Sequence, residues 1–361
     1  MVAVRSNALR ELDWLMIAVV VLSCLGLVMA VSVGTGRGDA PLRALEGQGA
    51  KLLAGTIAFL VAASVPLDWL RRGAVTMLLA GILLCLLALL FPDSHGAHRW
   101  IRFGTVGFQP VDFARFALVI YCAAWIGYAG EDVAYFRTGF VPLMVPAMLL
   151  AVCLLLQPDF GNALISVALA ATMALVGGVR WRYFAVAGLP ALAGIALVVR
   201  ERGYVQDRLT GYLDVEPGSQ VWQSLVAISS GGVTGRGLGE GWMKMGFVPE
   251  ADNDFVFAVI GEELGLLGSL LVVGLYATIG IVVLRLVLRM REPFHRMLVF
   301  GFGFAICTQA AINLLVVTGM APAKGIDLPL LSSGGTNLVY VLAAVGIIGN
   351  AARSDPTSVQ G

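Results

Sequence analysis

The chain has 361 residues, of which 58% are apolar and only 13% are charged, about half the ~25% charge of soluble domains. Its 24 Lys and Arg against 23 Asp and Glu leave a formal net charge of +1. Polar surface is too scarce to cover a water-soluble globule of this length, apolar residues are too many for a disordered chain, and no cationic field invites nucleic acid. The composition therefore points to an all-α polytopic integral membrane protein, because lipid offers no partner to unpaired backbone groups outside helices or closed barrels.

Ten runs are long and apolar enough to cross a bilayer, near 14–33, 50–67, 73–91, 112–129, 139–156, 160–179, 183–199, 255–284, 297–318 and 336–352. They read as one transmembrane domain over residues 1–353, with a large extracytoplasmic loop at about 200–254 and a short cytoplasmic tail at 354–361. With the N-terminus inside, the inner segments hold twelve Lys or Arg and the short outer segments seven. By the positive-inside rule, both termini then face the cytoplasm. Five cysteines are scattered singly through apolar runs with no metal-ligand spacing, which fits packing residues better than a disulfide framework or a metal site.

Four polar clusters fall on the side predicted to be outer. The first runs from His95 through His98-Arg99-Trp100-Ile101-Arg102 to Gln109-Pro110-Val111-Asp112 and Arg115. The second is Gln157-Pro158-Asp159-Phe160-Gly161. The third is the glycine-rich end of the long loop, and the fourth runs from Pro322 and Lys324-Gly325 to Ser332-Ser333-Gly334-Gly335. Wet loops are polar anyway, but so many arginines and Pro-Gly turns on one side point to one interfacial site.

Seven glycines from Gly231 to Gly246 could turn successive amides toward an anion, although a flexible or re-entrant loop explains them better. The stretch 221–228 before them reads as a short amphipathic helix on the membrane surface. After them come Glu250, Asp252, Asn253 and Asp254 at the mouth of the eighth run. Asp252 and Asn253 suit a helix cap. Asp254 abuts apolar Phe255 and Phe257, and partial desolvation there suits a carboxylate that accepts a proton. Glu262 and Arg115 lie inside apolar runs and each needs a partner; for Arg115 either Asp254 or Glu262 could supply it.

These segments occur in a recognisable order: His98-Arg99-Trp100-Ile101-Arg102, Phe108-Gln109-Pro110, Gln157-Pro158-Asp159-Phe160-Gly161, Ser230-Gly231-Gly232, Gly235-Arg236-Gly237-Leu238-Gly239, Pro249-Glu250-Ala251 with Asp254-Phe255, Glu262-Glu263-Leu264-Gly265, and Ser332 with Gly334-Gly335. The set resembles the SEDS family, the shape, elongation, division and sporulation proteins of bacteria, over about residues 95–350. Gly261 and Lys324 resemble its FtsW branch more than its RodA branch. The resemblance implies a multi-pass plasma-membrane glycosyltransferase that polymerises lipid II into peptidoglycan strands at the outer face, in septal wall synthesis. An elongation role is the alternative within the family.

The resemblance also maps the family's essential aspartate onto Asp254 and its conserved cation onto Arg115. Arg99, Arg102, Gln109, Lys244, Glu250, Glu262, Lys324 and Ser332 complete the candidate substrate-binding set. The acceptor hydroxyl must lose a proton as it attacks the anomeric carbon, and the pyrophosphate leaving group needs cationic stabilisation. Arg102, Arg115, Lys244 and Lys324 are the candidate cations, with the 235–241 amides or a divalent ion (Mg or Mn) as candidate help. An arginine beside Asp254 would make it a poor base, so an Arg115–Asp254 contact would act as a resting lock.

The implied partners are a class B penicillin-binding transpeptidase, other division or elongation membrane proteins, and membrane lipids. The sequence departs from the family pattern at Asp252, Asn253 and Ser333. A lipid II flippase is the alternative of another class, since transporters also bury ionisable groups. No inverted repeat is visible, however, and the polar clusters gather on one face.

Overall fold

The computed structural model describes residues 2–38, 40–91, 99–103, 106–188, 217–242, 244, 253–322 and 324–355. In chain order these form α1 (Val2–Gly36), α2 (Pro41–Ser64), α3 (Leu67–Ala88), a hairpin of β1 (Ile101–Phe103) and β2 (Val106–Phe108), α4 (Pro110–Ala129), α5 (Val141–Leu156) and α6 (Phe160–Gly177). After a helical stretch over 181–188 come α7 (Gln220–Ser230), α8 (Val256–Arg289), α9 (Pro293–Val317) and α10 (Gly335–Ser354). Nine of the helices among the described residues, all but α7, are long and apolar enough to span a membrane. The run expected at 183–199 begins in the 181–188 helix, and its remainder lies outside the described residues.

Helix starts follow local chemistry. Pro41, Pro110 and Pro293 occupy first-turn positions, where a missing N–H costs nothing. Asp159 caps α6 by accepting from the Asn162 amide at 3.2 Å, and Glu292 caps α9 by accepting from the His295 amide at 2.9 Å. Gly178 closes α6 in the left-handed conformation, with φ at 111°. The surface helix expected at 221–228 is α7; its Ser224 hydroxyl donates to the Val317 carbonyl at 2.6 Å and so docks it on the end of α9.

The bundle is held by helix pairs. α2 runs along α10, where Asn350 donates to the carbonyls of Ala62 at 3.1 Å and Val65 at 2.7 Å. α3 packs on α4, α5 on α6, α1 on α8, and α9 on both α4 and α8. α10 and α4 are the most enclosed spans, while α2 and α3 turn most of their surface outward. The large side chains on that outward surface are mostly Leu, Val and Ile, as a lipid-facing helix requires. At the far end of α10, Asp355 is buried and accepts from the Glu292 amide at 3.1 Å, so the tail expected to begin at 354 is anchored at its first residues.

α8 is broken. Its 34 residues would run about 51 Å as one helix, well past a hydrocarbon core of ~30 Å. At Gly265 the backbone leaves helical geometry, with φ 67° and ψ −160°. The glycine-rich loop enters the gap: the Arg236 and Gly237 amides donate to the Glu262 and Glu263 carbonyls, each at 3.0 Å, and the Leu266 and Leu267 amides donate to Gly232 and Val233 at 3.0 and 3.2 Å. Hydrogen bonds lost by the helix are thus remade by the loop, as backbone buried in a membrane protein requires. A Cβ on Gly265 would fall 2.3 Å from the Gly235 nitrogen, so only glycine meets both the torsion and the approach. Residues 256–263 are buried, whereas Leu266, Leu267, Leu270 and Leu271 beyond the break are exposed.

Candidate active site

The sequence clusters converge at one end of the bundle. A cavity of about 280 Å³ is lined by Arg99 and Trp100 before β1, Gln109, Asp112 and Arg115 at the start of α4, and Asn162 in the first turn of α6. The turn before α8 adds Asn253 and Asp254, the segment before α10 adds Gly325, Ile326 and Asp327, and α9 and α10 contribute Gln309 and Asn337. Nearly every lining side chain can donate or accept a hydrogen bond. Such a site suits a polyhydroxylated, charged ligand better than an apolar one.

Asp254 sits in the turn that opens α8, half-buried, with its carboxylate pressed over Gly325. A Cβ at Gly325 would lie 2.7 Å from Asp254 Oδ2. Two side chains hold the turn from behind. Asn313 in α9 donates to the Asp254 carbonyl at 2.7 Å and to the Ile326 carbonyl at 2.6 Å. Ser332 donates to the Asn253 carbonyl at 2.6 Å while accepting from the Leu328 amide at 2.7 Å. Gln309 fixes the same segment by donating to the Asp327 carbonyl at 2.9 Å. The third and fourth sequence clusters are in this way locked to one another around Asp254.

Arg115 takes a partner that neither expectation named. Its guanidinium pairs with Asp112 at 2.7 Å, one turn earlier on α4, and lies 5.9 Å over the Tyr340 ring. Asp254 and Glu262, the two partners weighed from sequence, are replaced because an acid three residues before a base on one helix face reaches it without long-range folding. Both members of the pair are almost fully buried, and both line the cavity. No resting lock between Arg115 and Asp254 is therefore formed in this structure.

The remaining candidates are dispersed. Arg99 lines the cavity, donates to the Pro158 carbonyl at 2.6 Å and stands 3.8 Å from Asp159, joining the first and second clusters. Gln109 lines it as the residue capping α4. Lys324 lies beside the cavity against Gly161, where a Cβ would fall 1.6 Å from its Cε, so this glycine keeps the room its ammonium arm occupies. Arg102 is exposed on the hairpin, facing Gly107 across the strand register. Glu250 lies outside the described residues, as does His98.

Lys244 and Glu262 stand outside the lining, in a buried clasp around the break in α8. Lys244 is 1% exposed and gives its ammonium to Glu263 at 2.6 Å, Ser32 Oγ at 2.7 Å and the Gly239 carbonyl at 2.8 Å. Glu263 also accepts from the Gly239 amide at 3.1 Å, and Glu262 from the Trp242 amide at 2.9 Å. The loop amides that sequence offered to an anion are thus turned, at these two positions, on the protein's own carboxylates. Among the described residues, no three His, Cys, Asp or Glu side chains come together as a metal site.

Asp112, Asn162, Gln309, Asn313, Asp327 and Asn337 join the site beyond the candidates named from sequence, although some carry a signal, Asp112 as a member of the first polar cluster. Gln309 and Asn313 are four residues apart in an otherwise apolar span, which puts both on one helix face. Asp112 precedes Arg115 by a single turn. Asp327 had no such mark, being one acid in a loop.

An all-α membrane bundle with a polar, carboxylate-bearing cavity at one end of its helices is the architecture of an integral-membrane enzyme acting at the interface. The chain belongs to the FtsW, RodA and SpoVE family, described as cell cycle proteins, whose model matches residues 13–356. It is 37% identical to a probable peptidoglycan glycosyltransferase FtsW of Geobacter metallireducens, over 93% of each chain. The corresponding protein of Geobacter sulfurreducens is 36% identical over the same shares. Among solved structures, it resembles a chain from a peptidoglycan synthase complex coordinating polymerization and crosslinking, with TM-score 0.79, 26% identity and coverage of 94% of this chain and 96% of that one. Thermus thermophilus rod shape determining protein RodA matches with TM-score 0.69 at 27% identity, covering 95% of this chain and 96% of that one.

Proposed function

We propose that this protein is a peptidoglycan glycosyltransferase that polymerises lipid II at the outer face of the bacterial plasma membrane, in septal wall synthesis. The observation that carries the reading is the convergence of four sequence-distant polar segments on one cavity containing Asp254. In this mechanism Asp254 takes the proton of the acceptor sugar hydroxyl as that oxygen attacks the anomeric carbon of the donor. Arg115 is paired with Asp112 at 2.7 Å, so its charge is matched within α4. Arg99 in the cavity lining and Lys324 against Gly161 are the cations assigned to the departing pyrophosphate, where fixed positive charge lowers the barrier more than a proton would. An α-linked donor would give a β-linked product by a single inverting displacement, with no covalent enzyme intermediate.

Both termini lie in the cytoplasm on this reading, so that the cavity faces outward. A class B penicillin-binding protein is the proposed partner, supplying crosslinking and activation. A lipid flippase fits less well, since a transported headgroup needs a polar path through the midplane and the cavity opens at one end. The test is the purified protein with its transpeptidase partner and labelled lipid II. Wild type makes polymer and Asp254→Asn makes none; flipping by both with no polymer from either would replace the enzyme by a transporter.

A further inference from the structure

At the opposite end of the bundle a second cavity, of about 450 Å³, lies in the seam between α1 and the last turns of α8. Its charged lining is mixed, with Arg10, Arg285 and Arg289 against Glu11 and Asp13. Arg285 and Arg289 both reach the same oxygen of Glu11, at 3.4 and 3.6 Å, and both guanidinium groups remain about half exposed. Glu11 itself is 7% exposed, and its second oxygen, Oε2, has no hydrogen-bond partner among the described residues. Glu11 is also a lining residue of the cavity, so its carboxylate carries acceptor capacity there that its two arginines do not use. Arg10 also makes no ion pair among the described residues.

The surroundings are those of a membrane boundary. Trp14 and Ile17 form the apolar part of the lining and are 57% and 51% exposed; Leu284 and Leu288, next to the two arginines on α8, are exposed as well. An indole at the end of a span beside arginines is the side-chain pattern of the headgroup region. A ligand for this cleft therefore needs an anionic part for three arginines, a cationic part with N–H donors for Glu11 and Asp13, and a hydrocarbon tail for Trp14 and Ile17. We propose that the cleft is a specific site for phosphatidylethanolamine from the adjoining leaflet, with the phosphate on Arg10, Arg285 and Arg289 and the primary ammonium on the carboxylates of Glu11 and Asp13. A purely anionic headgroup would satisfy the arginines and leave the carboxylates opposed.

Delipidated full-length protein in detergent tests this by titration with palmitoyl-oleoyl phosphatidylethanolamine, phosphatidylglycerol or phosphatidylcholine, reading retained lipid by native mass spectrometry and the shift in melting temperature. Phosphatidylcholine carries the same phosphate but a trimethylated nitrogen with no N–H, so the wild type should retain phosphatidylethanolamine several-fold better. Glu11→Gln should abolish that preference, and Arg285→Gln with Arg289→Gln should weaken retention of all three lipids. Because Glu11 is buried, Asp13→Asn at an exposed position serves as a second reading and should reduce the preference without loss of fold. Equal retention of the ethanolamine and choline lipids by the wild type overturns the proposal, as does tighter binding of phosphatidylglycerol. A preference unchanged in the variants, or an equal stabilising shift from soluble phosphoethanolamine, overturns it too.

Discussion

Lys244→Met is the most informative single perturbation of the clasp around the α8 break. The three N–H groups of the ammonium are all used, on Glu263 at 2.6 Å, Ser32 at 2.7 Å and Gly239 at 2.8 Å, and the side chain is almost wholly enclosed. Methionine preserves the length of the stem, so the change removes charge and hydrogen bonds more than volume. Glu263, which is fully buried, keeps Ser32 and the Gly239 amide but loses its counter-charge. Breaking one side of a buried pair costs about 3–5 kcal/mol, whereas replacing both members by neutral groups is often close to neutral. The double variant Lys244→Met with Glu263→Gln should therefore regain at least about 2 kcal/mol of the single-variant loss. Hydrogen exchange of the 235–241 amides in detergent reads the clasp directly, and a 3 kcal/mol loss of local stability accelerates exchange on the order of a hundredfold. A single variant costing under about 1 kcal/mol, or additive costs in the double, would refute the idea that this pair holds the loop in the helix break.

Three further outcomes follow from the cavity. Gly161→Ala places a Cβ 1.6 Å from Lys324 Cε, so the flexible lysine arm must move; lipid II polymerisation should fall several-fold while the melting temperature stays near wild type. Arg115→Met strands the buried Asp112 carboxylate and should destabilise by about 3–5 kcal/mol, with Arg115→Lys costing much less because the 2.7 Å pair is kept in part; thermal unfolding in detergent measures both. Asn313→Leu removes the donors to the Asp254 and Ile326 carbonyls, at 2.7 and 2.6 Å, for about 1–3 kcal/mol. Its turnover should drop more than its affinity for lipid II, since the turn carrying Asp254 is loosened while the lining of the cavity is retained.

Much of the architecture was legible because membrane helices announce themselves by composition and by the punctuation between them. Pro110, Asp159, Pro293 and Gly178 end or begin helices for local reasons, and local reasons are visible in sequence. The polar clusters before α4, α6, α8 and α10 were legible as a site for a similar reason, because polar groups at the end of an apolar bundle have few places to go. What was not legible depended on pairings across the chain. Lys244 stands close in sequence to Asp254 and reads as a binding residue, yet its partners are Ser32, 212 positions away, and Glu263. The break at Gly265 is equally hidden, since the run at 255–284, even with Glu262 and Glu263 in it, does not say that a loop thirty residues earlier will be inserted there. Arg115 is the opposite case: sequence admits long-range partners, and the short-range Asp112 holds it.

The two halves of α8 meet different solvents. Residues 266–289 turn one face outward, with Leu266, Leu267, Leu270, Leu271, Ile281, Leu284 and Leu288 exposed, so a thinner or thicker bilayer will tilt or slide them to match hydrocarbon length. Residues 256–263 touch protein on every side, and the turn before them is tied to Asn313 and Ser332. With a glycine joint between the halves, the mismatch can be taken up below Gly265. The height of Asp254 above the cavity floor is then set by neighbouring side chains and not by membrane thickness.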